Sequence, residues 1–239
     1  MYNIPINNIL FLDIETVPRY SSYEEMPEDW KILWSIKAGS LIKNKELETI
    51  ETIYPRAGIY AEFGKIVCIS CGVLTGVDAS KKIIIKSFFG DDEKLLLQEF
   101  SDRLTKWTDT NKYLCAHNGK EFDFPFLCRR MIVHGLPLPF LLQVAGKKPW
   151  EANHLDTMDL WKFGDFKSYT SLALLANTLG IDTPKDDING SMVWDVYWRE
   201  KNMNRIVTYC QKDVVTVTQL FLRMVGESLI DPNNIEIKI

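Results

Sequence analysis

No stretch of 18 or more apolar residues occurs in this 239-residue chain, which excludes an ordinary membrane-spanning helix, and the N-terminus lacks the basic, apolar and small-residue succession of a secretion signal. The expectation is a soluble, cytoplasmic protein without a membrane partner. Cysteine is scarce and odd in number, five in all, so a disulfide framework does not organise the fold. A single C-x-x-C, Cys68 and Cys71, lies in the run from Lys65 to Gly72, which reads as a strand. Positions three apart on a strand point to opposite faces, so the pair cannot grip one zinc ion. Positive charge is also short: 28 Lys and Arg stand against 32 Asp and Glu, a formal net charge of −4. That balance excludes a protein that holds duplex nucleic acid mainly through a basic face. It suits an enzyme whose acidic site is filled by divalent cations.

With 46% apolar residues the chain can bury a proper core, and without repeat, low-complexity tract or linker it reads as one domain over 1–239. Asn8 to Ile14 is an apolar run for a central buried strand. From Thr16 to about Phe63 the chain is irregular, with Pro18, Pro27 and Pro55, several aromatics and a polar stretch from Lys43 to Thr52, which predicts an insertion with one or two short helices. Two strands, Lys65–Leu74 and Lys82–Phe89, continue an antiparallel meander. Asp91 to Trp107 has helical periodicity, Tyr113–Ala116 reads as a strand, Asp123–His134 as a helix and His154–Met158 as a strand. Short helices are expected at Ser171–Leu179 and Ser191–Trp198, and a long one over Asn204–Val225.

Three short patterns carry chemistry. Asp13 and Glu15, two apart on the first strand, project from one face while Leu12 and Ile14 face the other. Two carboxylates this close repel unless a hard cation sits between them. The second pattern runs from His117 to Asp123, where Asp123 can cap the following helix or reach a cleft at the end of the preceding strand. The third is Tyr209 and Asp213, four apart and therefore stacked on one helix face. Each alone has an ordinary structural explanation; their combination and order do not.

The set D-x-E, N-x-x-x-F-D and Y-x-x-x-D resembles the three exonuclease motifs of the DEDD superfamily, and the tyrosine marks its DEDDy branch. The N-x-x-x-F-D form is similar to the proofreading domain of family B DNA polymerases. Asp182 to Trp194, with Gly190 to Trp194 at its end, looks like the stand-alone exonuclease family related to that domain. The likeness runs from about Asn8 to Met224. It implies an α/β, ribonuclease H-like fold with a five-stranded mixed sheet flanked by helices. It also implies two divalent metal ions, Mg2+ or Mn2+, held by Asp13, Glu15, Asp123 and Asp213. Asp13, Glu15 and Asp213 would share one ion, Asp13 would bridge to a second near Asp123, and the Tyr209 hydroxyl would orient the attacking water.

The function expected is removal of nucleotides from the 3′ end of single-stranded DNA or RNA, DNA ahead of RNA, with any proofreading role needing a partner chain. A fold that has kept nucleic-acid binding but lost catalysis is the alternative. Asn118 and His117 are candidate substrate contacts beside the cleft, and Phe122 and Phe124 could stack on a terminal base, although at least one of the two must be core. His154 and Asp159 have the spacing of the histidine-using branch, but on a strand a five-residue offset puts them on different faces. They and Asp156 read as structural. Lys147, Lys148, Lys162 and Lys167 read as solvated loop charges.

Overall fold

The computed structural model describes residues 4–238 except 45, 78–79, 108, 110, 166–168 and 183–187. Its centre is the apolar run noted above, strand β1 (Ile9–Pro18). β1 pairs antiparallel with β2 (Gly64–Thr75), which pairs antiparallel with β3 (Lys82–Phe89). On its other edge β1 runs parallel to β4 (Tyr113–Ala116), and β4 parallel to β5 (His154–Asp156). The sheet is mixed, ordered β5-β4-β1-β2-β3-β6, and has six strands rather than five. The additional strand, β6 (Ile235–Lys238), runs parallel to β3 on the outer edge. Four mostly exposed residues with alternate charges carry too little hydrophobic pattern to read as a strand.

Alternation along β1 divides the core. Leu10, Leu12 and Ile14 pack under α2 (Glu93–Trp107) and α3 (Asp123–Val133), against Phe100, Phe124 and Leu127. Ile9 and Phe11 face α7 (Met203–Val225), where the Phe11 and Phe221 rings meet edge to face at 5.5 Å. Helix α7 turns Val214, Val217 and Phe221 to the sheet at the spacing its sequence predicts. Gly226 ends it at φ 80°, a left-handed turn that costs glycine little. Cys71 belongs to the first of these cores and Cys68 to a third one beneath α6 (Val193–Trp198), so the C-x-x-C is split across the sheet.

β1 continues through Thr16 to Pro18, so the irregular segment begins at residue 19. It holds α1 (Glu28–Gly39) and a short 3-10 helix, Tyr54–Ile59, around a small core of its own. Trp34 is fully buried there, meeting the Tyr54 and Phe63 rings edge to face and donating its indole N–H to the Ile50 carbonyl at 3.0 Å. Two shorter helices, α4 (Thr157–Lys162) and α5 (Leu172–Thr178), complete the α7 side. Among the described residues no helix is long and apolar enough to cross a membrane.

Candidate active site

Because Asp13 and Glu15 share the face of β1 that Ile9 and Phe11 present to α7, they lie opposite that helix. Glu15 is only 6% exposed. Ile14 points away, yet its backbone N–H donates to the Asp123 carboxylate at 3.2 Å, which ties the start of α3 to the middle of β1. Asp123, 3% exposed, is the first residue of α3, while Phe122 holds the capping position without a side-chain bond. On α7 the Tyr209 hydroxyl meets the Asp213 carboxylate, as the four-residue spacing requires. The next residue, Cys210, donates its thiol to the Asp13 carbonyl at 3.4 Å.

Burial pushes the Asp13 and Glu15 carboxyls well above the usual range. Neighbouring negative charge adds to it: Glu15, Asp213 and Asp123 at Asp13, and Asp213, Cys68 and Asp123 at Glu15. Asp123 is pushed up to about 7 by burial first, with Asp156 and Asp213 raising it and its backbone hydrogen bonds opposing. Burial, followed by the charges of Asp213, Glu15 and Asp13, raises Tyr209, whose hydroxyl therefore stays a proton donor.

These residues fit a hard divalent cation. The Asp13 Oδ2 atom is buried with no hydrogen-bond partner among the described residues, and the charges of Glu15, Asp213 and Asp123 crowd around it. The ligand atoms of Asp13, Glu15 and Cys210 lie within 4.8 Å of one another. Burial also raises the Cys210 thiol, and a neutral thiol is a poor ligand for magnesium or manganese. The oxygen donors are the better match.

A cleft of about 490 Å3 opens over the cluster. Asp13, Glu15, Tyr209 and Asp213 line one side and Phe122 the rim. Gly190, Ser191 and Trp194 come from the end of the stretch singled out in the sequence and the start of α6, whereas Arg56 and Ile59, from the 3-10 helix of the irregular segment, were not legible in residue patterns. Of the stretch 182–194 singled out in the sequence, 183–187 lie outside the described residues, as does Lys167.

Three of the expected substrate contacts are placed otherwise. Phe124 is 1% exposed, in the core, with its ring 4.3 Å from that of His154, so it cannot stack on a base. His117 spends one ring nitrogen on the Thr157 hydroxyl at 2.8 Å and the other on the Thr170 carbonyl at 2.9 Å, leaving neither for substrate. Asn118, at φ 62°, lies in the loop that Asp156 fastens by accepting the backbone N–H groups of Asn118 and Lys120. Its Oδ1 is buried and unpartnered among the described residues, and Asn118 is not one of the residues that line the cleft. Asp156 also accepts the Met158 N–H and so caps α4. His154 is bound to the Leu141 carbonyl, and Asp159 pairs with Lys120 and Lys162. Lys147 and Lys148 lie over Phe140 and Trp150.

The fold is a ribonuclease H-like α/β sheet with helices on both faces and carboxylates on its central strand. The chain matches, over residues 59–233, the family described as predicted 3′-5′ exonuclease related to the exonuclease domain of PolB, and belongs to it. The family B DNA polymerase of the hyperthermophilic archaeon Pyrobaculum calidifontis superposes on 91% of the chain with a TM-score of 0.50 and 14% identity. The chain spans 26% of that polymerase. The RNase domain of the yeast Pop2 protein matches with a TM-score of 0.42 and 14% identity, over 96% of this chain and 81% of that one. A search of curated proteins found no match.

Proposed function

We propose that the protein is a 3′→5′ exonuclease that hydrolyses the terminal phosphodiester bonds of single-stranded nucleic acid, DNA ahead of RNA, with two divalent cations held by Asp13, Glu15, Asp123 and Asp213. The observation that carries this reading is the meeting of acids from β1, α3 and α7 in one cluster, with the buried Asp13 Oδ2 unpartnered among the described residues. When bound, the cations supply water made nucleophilic near neutral pH and positive charge opposite that developing on the phosphate. Tyr209, kept protonated and oriented by Asp213, directs the attacking water toward the phosphorus. A cleft of about 490 Å3 is in the range of sites for single small ligands and admits one terminal nucleotide at a time.

The test follows 5′-labelled single-stranded DNA and RNA with Mg2+ or Mn2+, for wild type and Asp213→Asn. A ladder shortening from the 3′ end, abolished by EDTA and by the substitution, is expected. Cleavage of a circular single strand would point instead to an endonuclease, and no cleavage with either metal to the silent binding module.

The two phenylalanines separate by experiment. Phe122→Ala is expected to raise KM about tenfold, the loss of one base stack, while leaving the melting temperature nearly in place. Phe124→Ala is expected to cost about 3–5 kcal/mol of stability through the cavity it leaves. Thermal unfolding beside KM measurements distinguishes the two roles.

A further inference from the structure

The cleft wall facing the acids is built by the 3-10 helix Tyr54–Ile59, and its position is fixed by close backbone packing. A Cβ on Gly58 would lie 3.0 Å from the Pro18 ring, and one on Gly64 only 2.7 Å from the Gly58 carbonyl oxygen. Ala57 and Tyr54 are buried, and the Tyr54 hydroxyl bonds the Tyr20 backbone. From this turn Arg56 brings the one cationic side chain among the described residues that line the cleft.

The surroundings of Arg56 say what it is placed for. Its side chain is 52% exposed, so it stands at the rim, whereas Glu15 and Asp123 lie buried beneath. Arg56 pairs with Glu48, through Nη1 at 3.2 Å. Glu48 is itself anchored, accepting the backbone N–H groups of Lys43 and Asn44. This contact uses one of five guanidinium donors, and half-exposed pairs of this kind contribute little to stability. The guanidinium fork matches a phosphate in geometry and charge.

We infer that Arg56 binds the backbone phosphate adjacent to the scissile one on a single strand whose 3′ end lies over the acids, exchanging Glu48 for that phosphate. The inference rests on the exonuclease reading and adds a subsite to it. Arg56 grips the strand at the rim, away from the reacting bond. It therefore strengthens substrate and transition state alike, which lowers KM and leaves kcat unchanged.

The test compares wild type, Arg56→Ala, Arg56→Lys and Glu48→Gln on a single-stranded oligonucleotide and on the p-nitrophenyl ester of thymidine 5′-phosphate, which has a scissile phosphate and no second one. Arg56→Ala is expected to raise KM for the oligonucleotide about ten- to a hundredfold, as loss of one charge-assisted contact does. The magnitude of its salt slope should fall by roughly 0.7. Its kcat should stay within about twofold, and the ester should be cut as by wild type. Arg56→Lys should recover part of the loss, and Glu48→Gln should lower KM. Equal loss on both substrates would place Arg56 at the scissile phosphate, and no loss on either would remove it from substrate binding; both overturn the inference. Oligonucleotide binding is followed in parallel by fluorescence anisotropy. If wild type cleaves neither substrate, the exonuclease reading fails, while Arg56 is still judged by whether Arg56→Ala weakens binding.

Discussion

If the protein is the exonuclease proposed, Asp13→Asn is expected to lower its activity by at least about a thousandfold, equivalent to roughly 4 kcal/mol of transition-state stabilisation. In the absence of divalent cation the same substitution raises the melting temperature at about pH 8. Both expectations come from one cause. Burial and the charges of Glu15, Asp213 and Asp123 push the Asp13 carboxyl well above 3.8, and Asp123 is pushed to about 7. The folded, cation-free protein therefore holds protons that the unfolded chain has released. The contribution of these acids to stability is greatest in acid and is lost as pH rises from the ordinary carboxylate range through about 7, where Asp123 titrates. An uncharged amide of the same shape removes one of the buried charges and part of that loss. For a chain of this size each kcal/mol recovered is worth about 2–4 °C. Magnesium should raise the melting temperature of the wild type far more than that of the variant, because the variant lacks one of the four carboxylates proposed to hold the cations. Calorimetry with EDTA and with Mg2+, beside the oligonucleotide assay, reads all three effects. Equal stabilisation of both proteins by Mg2+ would remove Asp13 from the cation site, and residual activity within tenfold of wild type would sink the nuclease mechanism.

What the sequence conveyed, and what it withheld, follows from the range of the interactions involved. β1 and α7 were legible because alternation and the four-residue repeat are local properties, and those same periods put Asp13 beside Glu15 and Tyr209 beside Asp213. Asp123 had two local readings, helix start or cleft. The choice between them depends on the Ile14 N–H, 109 residues away in the chain. Phe122 and Phe124 stand two apart at a helix start, where one ring must turn in and one out. Only the position of His154 and the rest of the core decides which. Cys210 occupies a buried position of α7, and nothing in its own segment announces that it lies against Asp13. The 3-10 helix that carries Arg56 has no long period, and its place beside the cleft depends on glycine contacts with Pro18 and between Gly58 and Gly64. Local order was thus read from local pattern, while the cleft's far wall, assembled from irregular chain, was not.

The largest effect on stability alone is expected away from the cleft, at Arg130. Its guanidinium is 4% exposed and donates from Nε and Nη2 to the Glu93 carboxylate, itself 5% exposed, and from Nη1 to the Ala61 carbonyl at 2.8 Å. Glu93 also accepts the Ile66 backbone N–H at 2.7 Å and a bond from His134 at 2.7 Å, so one carboxylate joins α2, α3, the start of β2 and the end of the irregular segment. Burial alone would raise the Glu93 pKa, but the hydrogen bonds and charge of Arg130, with His134 and Ile66, overcome it and hold the carboxyl below 4.5. Arg130→Met fills most of the volume and leaves that carboxylate without its main partner, at a cost of about 3–5 kcal/mol. For a chain of this size that corresponds to a fall of roughly 6–20 °C in melting temperature. Because the folded pKa of Glu93 is depressed, its contribution in the wild type is present above about 4.5 and is lost as pH falls through the folded value. The deficit of Arg130→Met should accordingly be largest near neutral pH and shrink in acid, where Glu93 protonates in the variant and no longer needs a partner. Glu93→Leu combined with Arg130→Met should recover much of the loss, since an apolar replacement of the whole pair leaves no buried charge. A deficit that stayed constant from pH about 4 to 8 would assign the damage to lost packing and not to the carboxylate. The opposite pH trends of Glu93 and Asp13 reflect the same burial with different company: Glu93 has a guanidinium within hydrogen-bond reach, whereas Asp13 has the like charges of Glu15, Asp213 and Asp123 beside it.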